Sequence, residues 1–123
     1  MADNTNRLAG IAYIAVNGQN YMLFGSLSYG VSTVTRTTLT GQDRVHGYSE
    51  TPHPGFIAAT LRDAGTLKVA DFNAMTQVNV TLELANGKIV VGAGMWTTDA
   101  QEVDTAEGTF AVRWEGPSVE EVN

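Results

Sequence analysis

Between Gln77 and Leu84 the chain alternates polar and apolar residues without a break: Gln77, Asn79, Thr81 and Glu83 against Val78, Val80, Leu82 and Leu84. Successive side chains of an extended strand point to opposite faces, so a period of two predicts a strand with one wet and one buried side. Asn86-Gly87 follows, and Lys88–Trp96 returns. An Asn-Gly pair tolerates the positive φ of a tight turn, which makes the whole segment a β-hairpin. Asn17-Gly18 repeats the signal between Ile11–Val16 and Tyr21–Phe24.

Further strands are expected at Ser28–Leu39, rich in Val and Thr, at Phe56–Arg62 and at Gly108–Glu115. In the last, Phe110, Val112 and Trp114 take one side, and Thr109, Ala111, Arg113 and Glu115 the other. Asp71–Met75 reads as a single helical turn with Asp71 as its N-cap. Residues 1–8 form a polar N-terminal arm. Thr40–Gly55 reads as a long assembly loop, because Gly41, Gly47, Pro52, Pro54 and Gly55 punctuate it together with both histidines. The expected fold is one domain over residues 1–123: a mostly β, antiparallel sandwich or small barrel with one short helix and a long loop.

Composition narrows the function. A length of 123 residues suits one domain. The absence of cysteine excludes disulfides, thiolate metal sites and a cysteine nucleophile. Net charge is -6, which disfavours a protein that grips nucleic acid by its phosphates. Residues 1–98 are electrically balanced, and the excess lies in 99–123, where Arg113 stands against seven acids. That end reads as a solvated acidic tail. No charge falls between Arg7 and Arg36, but Asn17-Gly18-Gln19-Asn20 breaks the window, so no membrane anchor is expected. Nor is a secretion signal; the expected site of synthesis is the cytoplasm.

Asp43, His46, Ser49, Glu50 and His53 cluster in the loop and would suit a hydrolase or a metal site if they converged. Their spacing matches no helical metal motif and no nucleophile elbow, so no catalytic residue, metal or cofactor is assigned. Gly92-Ala93-Gly94 lacks the Lys-Ser/Thr of a phosphate loop and reads as close packing or a bulge. Asn79-Val80-Thr81 is a formal glycosylation acceptor inside a strand. Ser28–Leu39 carries only Arg36, and β-proteins usually guard free edges with charge or proline. Pairing of some edges with another copy of the chain is therefore expected.

Leu39-Thr40-Gly41-Gln42-Asp43-Arg44-Val45-His46-Gly47-Tyr48, then Pro52 and Leu61-Arg62-Asp63, resembles the central motif of tail tube proteins of Mu-type contractile-tailed phages. Arg7-Leu8-Ala9-Gly10 and the Asn17-Gly18 hairpin resemble the family's start. Leu84-Ala85-Asn86-Gly87-Lys88, Trp96-Thr97 and Glu107-Gly108 through Arg113-Trp114-Glu115-Gly116 resemble its second half. The resemblance implies a structural, non-enzymatic subunit related to type VI secretion tube subunits. It implies hexameric rings whose sheets join between subunits into an inner barrel, and rings that stack into a tube inside a sheath. The implied partners are the sheath protein, a tape-measure protein in the lumen, and baseplate and tail terminator proteins, in a virion tail made in the bacterial host cytoplasm. DNA would pass through without specific binding. The tube of a contractile bacteriocin or secretion particle is a variant of this reading; a small ligand-binding β-barrel is the rival.

Within that frame the loop residues Gly41, Gln42, Asp43, Arg44, Val45, His46, Gly47 and Tyr48 are the expected inter-subunit element. A strand lining a wet channel shows polar residues outward and apolar residues to the core. Gln77, Asn79, Thr81 and Glu83 are therefore the lumen-facing candidates, with Thr60 and Arg62 or Arg36 and Thr38 extending the polar surface on neighbouring strands.

Overall fold

The computed structural model describes residues 11–65 and 67–122. The N-terminal arm 1–8 and the Arg7–Gly10 motif lie outside the described residues. Asn17 and Gly18, with φ of 50° and 83°, turn β1 (Tyr13–Val16) back into β2 (Gln19–Tyr21). After Met22 come β3 (Leu23–Gly30), β4 (Thr33–Thr40), β5 (Val45–His53) and β6 (Gly55–Arg62). A five-residue helix, α1 (Val69–Asn73), leads to β7 (Val78–Glu83), β8 (Ile89–Thr98), β9 (Val103–Asp104), β10 (Thr109–Gly116) and β11 (Ser118–Glu121). Among the described residues no helix is long and apolar enough to cross a membrane.

One curled antiparallel sheet runs in the order β2-β1-β7-β8-β10-β6-β3, with β11 also on β8 and β9 also on β10. β8 is its corner. Its first half pairs with β7 and β11, and its second half, Trp96–Thr98, pairs with β10. Gly94 sits at the bend with φ of 63°, a conformation that side chains resist, and its N–H donates to Asn79 Oδ1 at 3.2 Å. The Gly-Ala-Gly segment is thus the expected bulge. The curl makes two layers: β2, β1, β7, β8 and β11 face β8, β10, β6 and β3 across a shared interior.

Alternation fills that interior. Val78, Val80 and Leu82 of β7, Ile57, Ala59 and Leu61 of β6, and Phe110, Val112 and Trp114 of β10 are all buried. α1 closes one end: Phe72 packs edge-on to Phe110 and Tyr21 at 5.1 and 5.2 Å and tilts on Trp114 at 6.3 Å. Its carbonyl accepts from Thr97 Oγ1 at 2.7 Å. A mostly β, sandwich-like fold with one short helix is as expected.

Several local expectations need correction. The N-cap of α1 is Lys68, in extended conformation without a side-chain cap bond; Asp71 lies one turn in, beside the positive helix end. Ser28–Leu39 is not one strand but the end of β3 and most of β4, broken at Val31-Ser32. Much of Thr40–Gly55 is not loop: Val45–His53 is the strand β5, paired along β4 from Thr33↔His53 to Thr40↔Val45. Its Pro52 is tolerated because, among the described residues, β5 has a partner on one side only. The acidic tail also holds structure, since Val119 of β11 is fully buried.

Candidate assembly surface

β3, β4, β5 and β6 form one long hairpin bent at its middle. Its lower half, β3 on β6, is part of the body. Its upper half, β4 on β5, leaves the body as a two-stranded arm that pairs with no other strand among the described residues. A lone two-stranded ribbon is marginal in water, so the arm depends on its root. There Ser32 N–H donates to Val119 O at 3.2 Å, and Val119 N–H donates back to Ser32 Oγ at 3.0 Å. The other root residue, Gly55, lies so close to Ser32 and Val119 that a Cβ there would collide with both. β11 is tied to the opposite layer as well, by Tyr29 Oη donating to Glu121 Oε2 at 2.7 Å; Lys88 Nζ, from its own layer, donates to the same oxygen at 2.6 Å. The bonds from Lys88 and then Tyr29 hold the Glu121 carboxyl below its ordinary range. The same contact raises Lys88 and the Tyr29 phenol.

The predicted inter-subunit residues occupy the end of this arm. Gly41, Gln42, Asp43 and Arg44 make the turn, closed by Gly41 N–H to Arg44 O at 2.9 Å. Val45, His46, Gly47 and Tyr48 begin β5. Leu39 pairs with Gly47 and Thr40 with Val45, so His46 is the extra residue of a bulge. The bulge swings its ring over the turn, where Nε2 meets Asp43 Oδ1 at 3.0 Å and lowers that carboxyl's pKa. A Cβ on Gly41 would strike the His46 ring and push it aside. Arg44 lies 3.5 Å from Asp43. Arg36 bonds Glu50 across the strands at 3.0 Å and stacks over Tyr48 at 5.4 Å. The charges of the arm are therefore paired within it, while its apolar side chains are not covered: Leu39 is 48% exposed, Tyr48 60% and Val45 64%.

The five polar residues that would suit a hydrolase or a metal site do not converge. Asp43 engages His46, Glu50 engages Arg36, and Ser49 pairs with Thr37 further down the ribbon. Among the described residues no group of three or more His, Asp or Glu is placed to hold a metal ion.

The lumen candidates separate. Asn79, Thr81 and Glu83 do share the outward face of β7, opposite buried Val78, Val80 and Leu82. Gln77 lies in the bend before the strand. Asn79 is structurally committed: its side chain holds Gly94, and its N–H donates to Asn17 Oδ1 at 2.8 Å. Thr81 and Glu83, with Tyr13, Ala15 and Tyr21, line a shallow outward hollow. Thr60 and Arg62 do not extend this face. They belong to β6 in the other layer, where Arg62 stacks over Phe24 at 4.1 Å and bonds Glu107 O at 2.6 Å. Arg36 and Thr38 stand on the arm.

A curled β-sandwich with a filled interior and an uncovered, internally neutralised arm is the architecture of an assembly subunit rather than of a pocket protein. The comparisons with known proteins agree. Residues 5–121 match the phage tail tube protein family, and the chain belongs to that family. It is 24% identical over 102 residues to the tail tube protein of Escherichia phage Mu, spanning 83% of this chain and 86% of that one. Its fold resembles a chain in the cryo-EM structure of an extracellular contractile injection system, PVC sheath/tube terminator in the extended state. That match has a TM-score of 0.66 at 10% identity over 91% of this chain and 93% of the other.

Proposed function

We propose that the protein is the structural subunit of a contractile-tail tube: six copies form a ring, rings stack into a hollow conduit, and the phage genome leaves through the lumen. The observation that carries this reading is the arm, a ribbon with exposed Leu39, Val45 and Tyr48 that, among the described residues, pairs with no strand of its own body. The family membership and the Mu relative support it. The burial of Trp114, Phe72 and Phe110 in the interior favours this reading over a ligand-binding barrel. The partners of this role are the sheath, a tape-measure protein inside, and baseplate and terminator proteins at the ends, in the tail of a virion assembled in the bacterial cytoplasm. The likeness to an injection-system component favours a related reading, the tube of a phage-derived particle.

An acidic chain suits a conduit through which DNA slides, since each added cation near phosphate strengthens binding. We assign the lumen to the outward face of β7, with Thr81 and Glu83 as its free side chains beside Gln77 and Asn79. Thr81→Lys is then expected to leave tubes intact and slow genome ejection, whereas Thr60→Lys in the other layer leaves ejection unchanged. The reverse result would move the lumen to the β6 layer. Negative-stain microscopy of the concentrated protein tests the wider proposal: hollow tubes are expected, and a strictly monomeric protein would refute it.

A further inference from the structure

The hairpin that runs from β3 to β6 changes character at one level on both strands. Gly30 pairs with Phe56 below that level, and Thr33 with His53 above it. Two residues intervene on each side, Val31 and Ser32 against Pro54 and Gly55, so the register carries through while the ladder between the strands is interrupted. Pro54 has no N–H to offer there, and Gly55 pairs with Gly116 of β10 instead. A ribbon interrupted at the same height on both strands has a hinge, because a few residues outside the ladder can absorb large changes of φ and ψ. The angle at which the arm leaves the body is therefore not set by the hairpin itself.

β11 is the element that touches this hinge. Both backbone groups of Val119 bond Ser32, and its fully buried side chain lies against Gly55 on the returning strand. Two residues further on, Glu121 accepts from Tyr29 Oη, three residues ahead of Ser32. β11 thus grips the outgoing strand at two points and meets the returning strand at a third. Its remaining anchors lie in the opposite layer. It pairs along β8 from Ser118↔Ala93 to Glu121↔Val90, Val122 N–H donates to Ile89 O at 2.8 Å, and Lys88 Nζ bonds Glu121.

We propose that β11 is a strap that fixes the angle of this hinge, so that loosening the strap leaves the body folded and lets the arm swing. The strap is short, four residues with one ladder, and Val119 is the one residue of the four that is fully buried. Its other contacts with the hinge are hydrogen bonds, which hold a direction and can be removed singly without opening the core. The consequence for assembly rests on the tube reading: an arm already held at one angle has less freedom to lose when it binds.

The chain contains no cysteine, so Gln42→Cys at the arm tip and Asn73→Cys on α1 take the two spin labels of a distance measurement and no others. In dilute, unassembled protein, pulsed electron resonance is expected to find one narrow distance distribution in the otherwise wild-type chain. Ser32→Ala with Glu121→Gln is expected to roughly double its width while circular dichroism still shows a folded body. Tyr29→Phe keeps the ring and removes only its bond to Glu121; it is expected to give a smaller broadening and replaces the double variant if that chain does not fold. A distribution already broad in the wild-type background, or one that neither change widens, would overturn the strap. On the tube reading the double variant also needs on the order of tenfold more protein to form tubes. Tubes at the wild-type concentration from a chain with a swinging arm would overturn that consequence. A wild-type chain that forms no tubes overturns the tube reading, and the distances still decide the strap.

Discussion

The two halves of one hairpin behave as different materials. Where β6 lies against β10, every second residue from Gly55 to Leu61 is buried, and Ile57 and Leu61 are completely inaccessible. Where β4 lies against β5, a few residues further along the same hairpin, both faces are open and the residues are mainly Thr, Ser, His and paired charges. The body is held by the hydrophobic effect, at about 25 cal/mol per Å² of apolar surface removed from water. The arm has backbone pairing, the root contacts with Val119 and little else of its own. Burial supplies stability for the fold, and exposed pairing supplies reach.

This contrast can be broken most sharply in the body. Val80→Asp places a carboxylate among Val90, Leu82 and Ile57 with no partner, a cost of several kcal/mol that removes most of the stability of a domain this size. Circular dichroism should show an unfolded or molten chain, and native-like melting would contradict the core described here. The contact of Glu121 with Lys88 and Tyr29 is a smaller effect. Lys88 and Tyr29 depress the Glu121 carboxyl from its ordinary value near 4.5, so the contribution is present above that pH and lost as pH falls through the lower folded value. Wild type should therefore be more stable than Glu121→Gln near neutrality, and the gap in Tm should close in acid. A gap that does not change with pH would count against the ion pair. The smallest effect is at the tip. Gly41→Ala should push the His46 ring off Asp43, and NMR titration should find the Asp43 carboxyl higher than in wild type with Tm little altered.

The same contrast decides what could be seen in the sequence. β7 was legible because one of its faces is buried, so Val78, Val80 and Leu82 alternate with polar residues. The turn at Asn17-Gly18 was legible because both residues take the positive φ that their types permit. β5 was hidden for the opposite reason: a ribbon wet on both sides needs no apolar period, and Pro52, Gly47 and the histidines then look like loop. β11 was hidden because its one core residue, Val119, stands among Ser118, Glu120 and Glu121. Gly41–Tyr48 could be singled out by motif resemblance, yet the His46–Asp43 contact depends on a bulge that no spacing rule announces. The joint face of Thr60 and Arg62 with β7 failed because alternation reports which side of a strand is wet, not which layer the strand joins.

The central claim is that the arm serves assembly and contributes nothing essential to the body. Arg36 and Glu50 face each other across the ribbon, so residues 37–49 can be replaced by an Asn-Gly turn without disturbing the root. Microscopy and thermal melting on this shortened chain test the claim most directly. The account predicts a Tm close to wild type and no tubes at concentrations where wild type forms them. Tubes of normal length from the shortened chain, or its failure to fold, would contradict it.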